Sequence, residues 1–117
     1  MPSKDPGKRV ADILGAIERI NVYVAAIGGV DALMRKDRLH RDAVERQLLI
    51  LAEAATKLRG QVEELEPGID WHAIRGIGNF IRHDYDGIET EIISRVLTTE
   101  LAPLGEACLR LQARFRP

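Results

Sequence analysis

Apolar residues recur at spacings of three and four along most of the chain, which predicts helices, and no stretch alternates at the period of a strand. The first stripe follows Asp5-Pro6, where Asp is a good N-cap and Pro fits the first helical position. The stripe stops at Gly28-Gly29, so one long helix is predicted over 5–27, after a loose tail at 1–4. Its near-heptad spacing leaves open whether it lines an intramolecular bundle or a dimer seam. Its members are Val10, Ile13, Leu14, Ile17, Ile20, Val24 and Ile27.

Two more long helices are predicted in the middle of the chain. After a short turn capped by Asp31, an apolar face predicts a helix over 38–58, which Gly60 ends. Pro67-Gly68 marks a loop, and Asp70 caps a third helix over 71–85. The inner face of the second helix is Val44, Leu48, Leu51, Ala55 and Leu58, and that of the third is Ile74, Ile77, Ile81 and Ile88.

The last apolar stripe runs from Gly87 to about Phe115. Pro103 lacks an amide donor, which predicts a kink or a restart of this helix near Thr98-Thr99. We therefore expect an all-α fold in a single domain over residues 1–117. Its architecture is predicted to be an antiparallel bundle of four long helices, with the last helix kinked near Pro103. The members of this stripe are Ile93, Leu97, Leu101, Leu104, Cys108, Leu111 and Phe115.

Composition narrows the kinds of partner. The 117 residues include 17 Lys plus Arg against 18 Asp plus Glu, so contact with nucleic acid must come from a local patch. A single cysteine, Cys108, excludes an intrachain disulfide and a Cys-rich zinc site, and its place on an apolar stripe predicts a core residue. No apolar run is long enough to span a bilayer, and the first residues lack a signal-peptide core. We therefore expect a cytoplasmic protein with no membrane contact.

Several common catalytic motifs are absent from the sequence. The chain contains none of these motifs: HExxH, paired Glu-x-x-His, GxGxxG, the P-loop and the Gly-x-Ser-x-Gly elbow. We therefore expect no metal site and no cofactor. Two glycines, Gly76 and Gly78, lie inside the predicted third helix, where each costs about 1 kcal/mol relative to Ala. They indicate either close approach of a backbone or ligand, or tight packing between helices, and both interpretations stay open.

The third helix carries a concentrated set of polar side chains. At about 100° of rotation per residue, His72, Arg75, Asn79, Arg82 and His83 share one face, opposite the isoleucines. Arginine forks match phosphate oxygens, and histidine titrates near neutral pH. Together these groups suit cleavage of a phosphodiester, in which His moves a proton and the cations stabilise charge on phosphorus. A merely solvated face is the competing interpretation.

Residues 69–89, IDWHAIRGIGNFIRHDYDGIE, resemble the HepT-like family of the HEPN superfamily. Two earlier segments are similar to that family's first and second helices, namely ADILGAIERI and DRLHRDAVERQLLILAEAATKL. The family hallmark is an Arg-Asn pair followed by His-x-Tyr. Asn79, His83 and Tyr85 fall on its Asn, His and Tyr, whereas Gly78 stands at the position of the motif Arg. Arg75 and Arg82 flank that gap.

The resemblance implies a HEPN-like homodimer, in which two copies of the motif meet in one cleft. Many such proteins are toxins that cut RNA without a metal, in type VII-like toxin–antitoxin pairs. HepT-like proteins pair with a nucleotidyltransferase antitoxin encoded beside them. That partner can add AMP to the motif tyrosine, here Tyr85, which adds charge and bulk beside the site.

The leading hypothesis is a metal-independent endoribonuclease toxin. His83, Arg82 and Asn79 are the expected catalytic residues, and Arg75 and His72 the expected phosphate-binding ones. On this hypothesis Arg75→Ala mainly weakens RNA binding. One alternative is a catalytically inactive helical binding module that dimerises and contacts a nucleotidyltransferase. Another is a structural bundle with a polar face.

Overall fold

The computed structural model describes residues 3–36, 38–83 and 88–116, and these contain six α-helices and no strand. The predicted all-α class is confirmed, whereas the antiparallel arrangement stays a prediction. No described helix combines the length and the apolar character needed to cross a membrane. The helices are α1 (Pro6–Ile27), α2 (Val30–Lys36), α3 (Arg38–Lys57), α4 (Trp71–Arg82), α5 (Ile88–Arg95) and α6 (Leu101–Arg114), and a π-helical turn at Val96–Glu100 joins the last two.

The ends of α1 are those that the sequence predicts. The Asp5 side chain accepts a hydrogen bond of 3.0 Å from the backbone N–H of Lys8, which satisfies one of the free donors of the first turn. Gly28 ends the helix with a φ of 97°, a left-handed conformation that glycine adopts without a steric penalty.

The core lies between α1 and its neighbours. α1 packs against α3 and α6, α3 packs against α4, and α5 contacts α4 and α2. Apolar stripes from these helices bury their side chains in one cluster, so the packing places α4 at one flank of the bundle. The largest fully buried side chains are Ile13, Ile20, Leu33, Leu48, Leu51, Leu58, Ile74, Ile93, Leu104 and Leu111.

The third long helix is shorter than predicted. α4 ends at Arg82, and His83 follows as its C-cap with φ −124° and ψ 39°, so the prediction that His83 lies inside the helix is wrong. The sequence after Arg82 is His-Asp-Tyr-Asp-Gly, in which Asp and Gly favour turns over a helix interior. Tyr85 and Gly87, to which the sequence assigned a modification site and a helix start, lie outside the described residues.

The last predicted helix is two helices joined by the π-helical turn. This turn includes Thr98 and Thr99, where the sequence predicts a restart, and Leu101 N–H donates to the carbonyl of Val96 five residues earlier. Pro103 has no N–H for the carbonyl of Thr99 and would crowd it in a regular helix, which favours wider hydrogen bonding here. The kink itself stays a prediction.

Candidate nucleic-acid interface

α4 is fixed at its N-terminal end. The Asp70 side chain accepts a 3.0 Å hydrogen bond from the N–H of Ala73, as its predicted capping role requires. Trp71 is buried, and its indole Nε1 donates to the carbonyl of Glu66 at 3.1 Å. The first turn of α4 is therefore tied to the preceding loop, which sets the direction in which the helix leaves the core.

Arg75 faces inward, in contrast to the open polar face that the helical pattern predicts. Only 8% of its side chain is exposed, and Nη1 lies 2.7 Å from Glu63 Oε2. Nε donates to the carbonyl of Ala55 at 2.8 Å, which caps the last turn of α3, and the guanidinium lies 5.9 Å from the centre of the Trp71 ring. Arg75 thus joins α3, α4 and the loop between them, and its phosphate-binding role stays a prediction.

One nitrogen of this arginine is left over. Arg75 Nη2 is buried and has no hydrogen-bond partner in the described part of the chain. Burial alone would raise the pKa of Glu63, but hydrogen bonds from the Glu63 and Gly60 backbone and from Arg75 outweigh it and leave the pKa lowered. Glu63 is therefore a charged partner that holds Arg75 in place at neutral pH.

An open groove of about 440 Å³ runs between α4 and the end of α3. Among the described residues, its lining contains three arginines and a histidine but no carboxylate residue, and this part of the lining favours an anion. It brings together four of the predicted site residues and adds three that sequence reasoning missed, Thr56, Arg59 and Phe80. The lining residues are Thr56, Arg59, His72, Arg75, Gly76, Asn79, Phe80 and Arg82.

Arg82 reaches back along α4 toward Gly78. A Cβ on Gly78 would lie 3.3 Å from Arg82 Nη1 and 3.6 Å from a methyl group of Leu49. Long helical side chains lean toward the helix N-terminus and meet the residue four positions earlier, which brings the guanidinium over this glycine. Arg82 is an exposed residue, so its guanidinium lies beside the motif position and still borders the groove.

The remaining predicted residues lie at or near the groove. His72 and Asn79 are exposed and line it. His83 is exposed but is not among the lining residues, and its backbone N–H donates to the carbonyl of Asn79 at 3.0 Å. The structure thus brings His72, Asn79 and Arg82 together on one side of α4 and places His83 at its end.

Other chemistry is limited in the described part of the chain. There, no three His, Cys, Asp or Glu side chains gather where they would hold a metal ion. Cys108 is fully buried, as predicted, and burial together with the charge of Glu66 raises its thiol pKa to about 12. A thiol with this pKa stays protonated at neutral pH and is a poor nucleophile.

These features define a helical protein with an arginine-lined groove between two of its helices. The chain matches the family described as Ribonuclease HepT-like over residues 13–111, and it therefore belongs to that family. A search of the solved structures found none that matches this chain.

Proposed function

We propose that this protein is a metal-independent endoribonuclease that acts as the toxin of a toxin–antitoxin pair. Membership of a ribonuclease family supports RNA as the substrate class. The observation that carries the assignment to this site is the Arg82 guanidinium, which lies 3.3 Å from the Cβ position of Gly78, where the family motif has its arginine. A cation therefore borders the groove that Asn79 also lines, although the motif arginine is missing.

The proposed reaction is an internal transesterification of RNA. His83 takes the proton of a ribose 2′-hydroxyl, and the 2′-oxygen forms a bond to the adjacent phosphorus. The bond from phosphorus to the 5′-oxygen breaks, and that oxygen receives a proton from the imidazolium. The products are a 2′,3′-cyclic phosphate end and a 5′-hydroxyl end.

The other groove residues support this step through charge and position. Arg82 stabilises the negative charge that develops on the phosphorus oxygens, as charge-assisted donors in a preorganised site do. Asn79 positions the phosphate or orients His83. Arg59 and His72 bind neighbouring phosphates of the strand. Arg75 holds the groove wall through Glu63 and Ala55.

A homodimer completes the proposed site. One copy exposes His83 at the end of α4 and outside the groove lining, so a second copy that brings its own motif would close the cleft. Light scattering at micromolar concentration is expected to give twice the monomer mass. A monomer under these conditions would contradict this part of the proposal.

The proposed partner is a cytoplasmic nucleotidyltransferase antitoxin encoded beside this protein. AMP added to Tyr85 would place negative charge and bulk two residues from His83, which would repel the phosphate of RNA. Mass spectrometry of Tyr85 after co-expression tests this step, with an AMP adduct as the expected result.

Expression with and without the neighbouring gene tests the toxin function. We expect arrested growth and fragmented RNA when this protein is expressed alone, and recovery of both when the neighbour is present. His83→Ala, expressed to the same level, is the matched control and is expected to leave growth and RNA intact. Normal growth with the unmodified protein would contradict the toxin assignment.

A non-catalytic binding module is the second candidate, and Gly78 at the motif position favours it. This chain would then keep the dimer and the contact with the nucleotidyltransferase but would not cleave RNA. The decisive variant is Gly78→Arg, whose Cβ would meet the flexible end of Arg82 at 3.3 Å and Leu49 at an ordinary contact distance of 3.6 Å. If the unmodified protein is inert and Gly78→Arg cleaves RNA, the binding-module function holds for the natural chain.

A further inference from the structure

A second pocket lies beside the arginine-lined groove. It encloses about 290 Å³ between α4, α5 and the π-helical turn, and its floor is apolar, with the buried Ile77 and Val96 among its lining residues. Phe80 forms part of its wall and is 46% exposed, one of few large apolar side chains with that exposure. The two pockets share His72, Gly76 and Phe80, so a molecule in the groove can reach into this apolar pocket.

Gly76 lies where the two pockets meet and places no side chain between them. Among the described residues, no neighbouring group lies within 4 Å of the position that its Cβ would take. A glycine inside a helix costs about 1 kcal/mol relative to alanine, and internal packing does not offset that cost at this position. Gly78 differs, since its Cβ position is already in contact with Arg82 and Leu49. The missing side chain at Gly76 therefore leaves open space where the two pockets meet.

The rim of the apolar pocket carries one cation and one anion. Arg95 and Glu100 both line the pocket, and Arg95 Nε lies 4.0 Å from Glu100 Oε1, which is too long for a hydrogen bond. Both groups therefore retain hydrogen-bonding capacity for a third partner. Glu100 belongs to the π-helical turn, a feature that is frequent at functional sites.

We propose that the apolar pocket holds one guanine base of the RNA whose phosphate lies in the groove. This proposal rests on the proposed ribonuclease function, because that function makes RNA the polymer to which the base belongs. A volume of about 290 Å³ lies just below the range of pockets for drug-sized ligands, roughly 300–1,000 Å³, and suits a single ring system. Phe80 offers a face on which a base stacks, as aromatic side chains do with single-stranded RNA.

The rim selects guanine by the polarity of its edge. Arg95 donates to O6 and N7 of guanine, and Glu100 accepts from its N1–H and N2 amino group. Adenine keeps the N7 acceptor but turns its N6 amino group toward the arginine and its N1 lone pair toward the carboxylate, so it loses one contact with Arg95 and both contacts with Glu100. Pyrimidines have less surface for stacking on Phe80. The groove then receives the phosphate next to the selected base.

Calorimetric titration with nucleoside 3′-monophosphates tests the proposal without requiring cleavage. We expect guanosine 3′-monophosphate to bind the full-length protein about 10-fold more tightly than adenosine 3′-monophosphate. Phe80→Ala is expected to weaken both by about 5-fold or more, because the stacking surface is lost. Glu100→Gln is expected to remove most of the preference for guanosine. Leu109→Ala and Glu106→Gln, both at exposed positions on α6, are the matched controls and are expected to leave binding unchanged.

Each other outcome overturns the proposal or separates it from the ribonuclease function. Equal affinity for the two purine nucleotides, or binding unaffected by Phe80→Ala, overturns it. If no nucleotide binds and Phe80→Ala instead weakens self-association in sedimentation equilibrium, a second copy covers the pocket, and the proposal is again overturned. If the guanosine preference is found but RNA is never cleaved, the pocket assignment stands and the ribonuclease function fails.

Discussion

The two arginines of α4 have different environments although the helical pattern places them on one face. Arg75 has 8% of its side chain exposed and contacts Glu63, Ala55 and the Trp71 ring. Arg82 is exposed and lies over Gly78 at the edge of the groove. The first arginine joins elements of the fold, and the second borders the open groove.

Neighbouring elements, not helical position, produce this difference. α3 ends beside the first half of α4, where Arg75 adds a second donor to the Ala55 carbonyl, which also accepts from the N–H of Leu58. In the second half of α4, Gly78 has no side chain, so the Arg82 guanidinium lies along the helix surface over it. An arginine on this helix therefore has a structural role where it meets the end of α3, and it borders an open groove where the helix leaves the core.

The largest expected effect is on catalysis at Arg82. Arg82→Ala should lower kcat by about 10²–10³ and leave the free energy of unfolding nearly unchanged, because this side chain is exposed and its proposed role lies in the transition state. Single-turnover cleavage of a short RNA measures the effect. Arg114→Ala, at an exposed position in the last turn of α6, is the matched control. A change in KM with unaltered kcat would give Arg82 a role in binding only.

Arg75→Ala should act mainly on stability. It removes the ion-pair partner of Glu63 and one of the two N–H donors to the Ala55 carbonyl, the other being that of Leu58, and losing such charge-assisted contacts costs about 1–3 kcal/mol. Glu63 is 38% exposed, so water replaces part of the lost contact and the cost stays below that of a fully buried pair. Urea denaturation measures it, and Arg110→Ala, which removes an ion pair with Glu66 in which the arginine is 60% exposed, should have a smaller effect. Unchanged stability with weaker RNA binding would restore the role that the sequence predicted for Arg75.

The two glycines of α4 provide a smaller contrast. Gly76→Ala should raise the free energy of unfolding by about 1 kcal/mol, since open space surrounds its Cβ position and alanine favours the helix. Gly78→Ala should stabilise less, because its Cβ must displace the Arg82 guanidinium from 3.3 Å, and it should also slow cleavage. Thermal unfolding of both variants, with cleavage measured in parallel, checks this. Equal stabilisation with equal activity would show that the position of Arg82 over Gly78 is not important.

The smallest expected effect is on the pH dependence of stability. The pKa of Glu63 is lowered in the folded protein from the ordinary 4.5, so its ion pair with Arg75 contributes fully above that ordinary value. The contribution is lost as the pH falls from 4.5 through the lower folded pKa. The difference in melting temperature between the unmodified protein and Glu63→Gln should therefore shrink across this acidic range. A constant difference would show that the pair does not hold Arg75.

Local sequence signals predicted much of the fold. Asp5 and Asp70 cap the helices as expected, and Gly28 ends α1, because capping depends on residues within one turn of the helix end. The sequence predicts the end of α4 three residues too late. His83 falls on the polar face of the helical pattern, but its backbone dihedral angles are not helical. Periodicity describes the apolar stripe well and the last turn poorly.

The site was less accessible to sequence reasoning because its contacts join distant segments. Nothing in the spacing of residues shows that Glu63 and Ala55 take up Arg75, or that Arg59 enters the groove from the end of α3. The two glycines of α4 were a usable signal. One leaves room for Arg82 and the other keeps two pockets connected, a distinction that only packing reveals.

The most direct test of the central claim is cleavage of a short single-stranded RNA by the purified protein in EDTA, compared with His83→Ala. We expect the unmodified protein to cleave the RNA at an unaltered rate in EDTA and to leave a 2′,3′-cyclic phosphate. His83→Ala should be slower by about 10²–10⁴, the usual range for loss of a general acid or base. Activity that disappears with EDTA and returns with magnesium, or that survives in His83→Ala, would contradict the account.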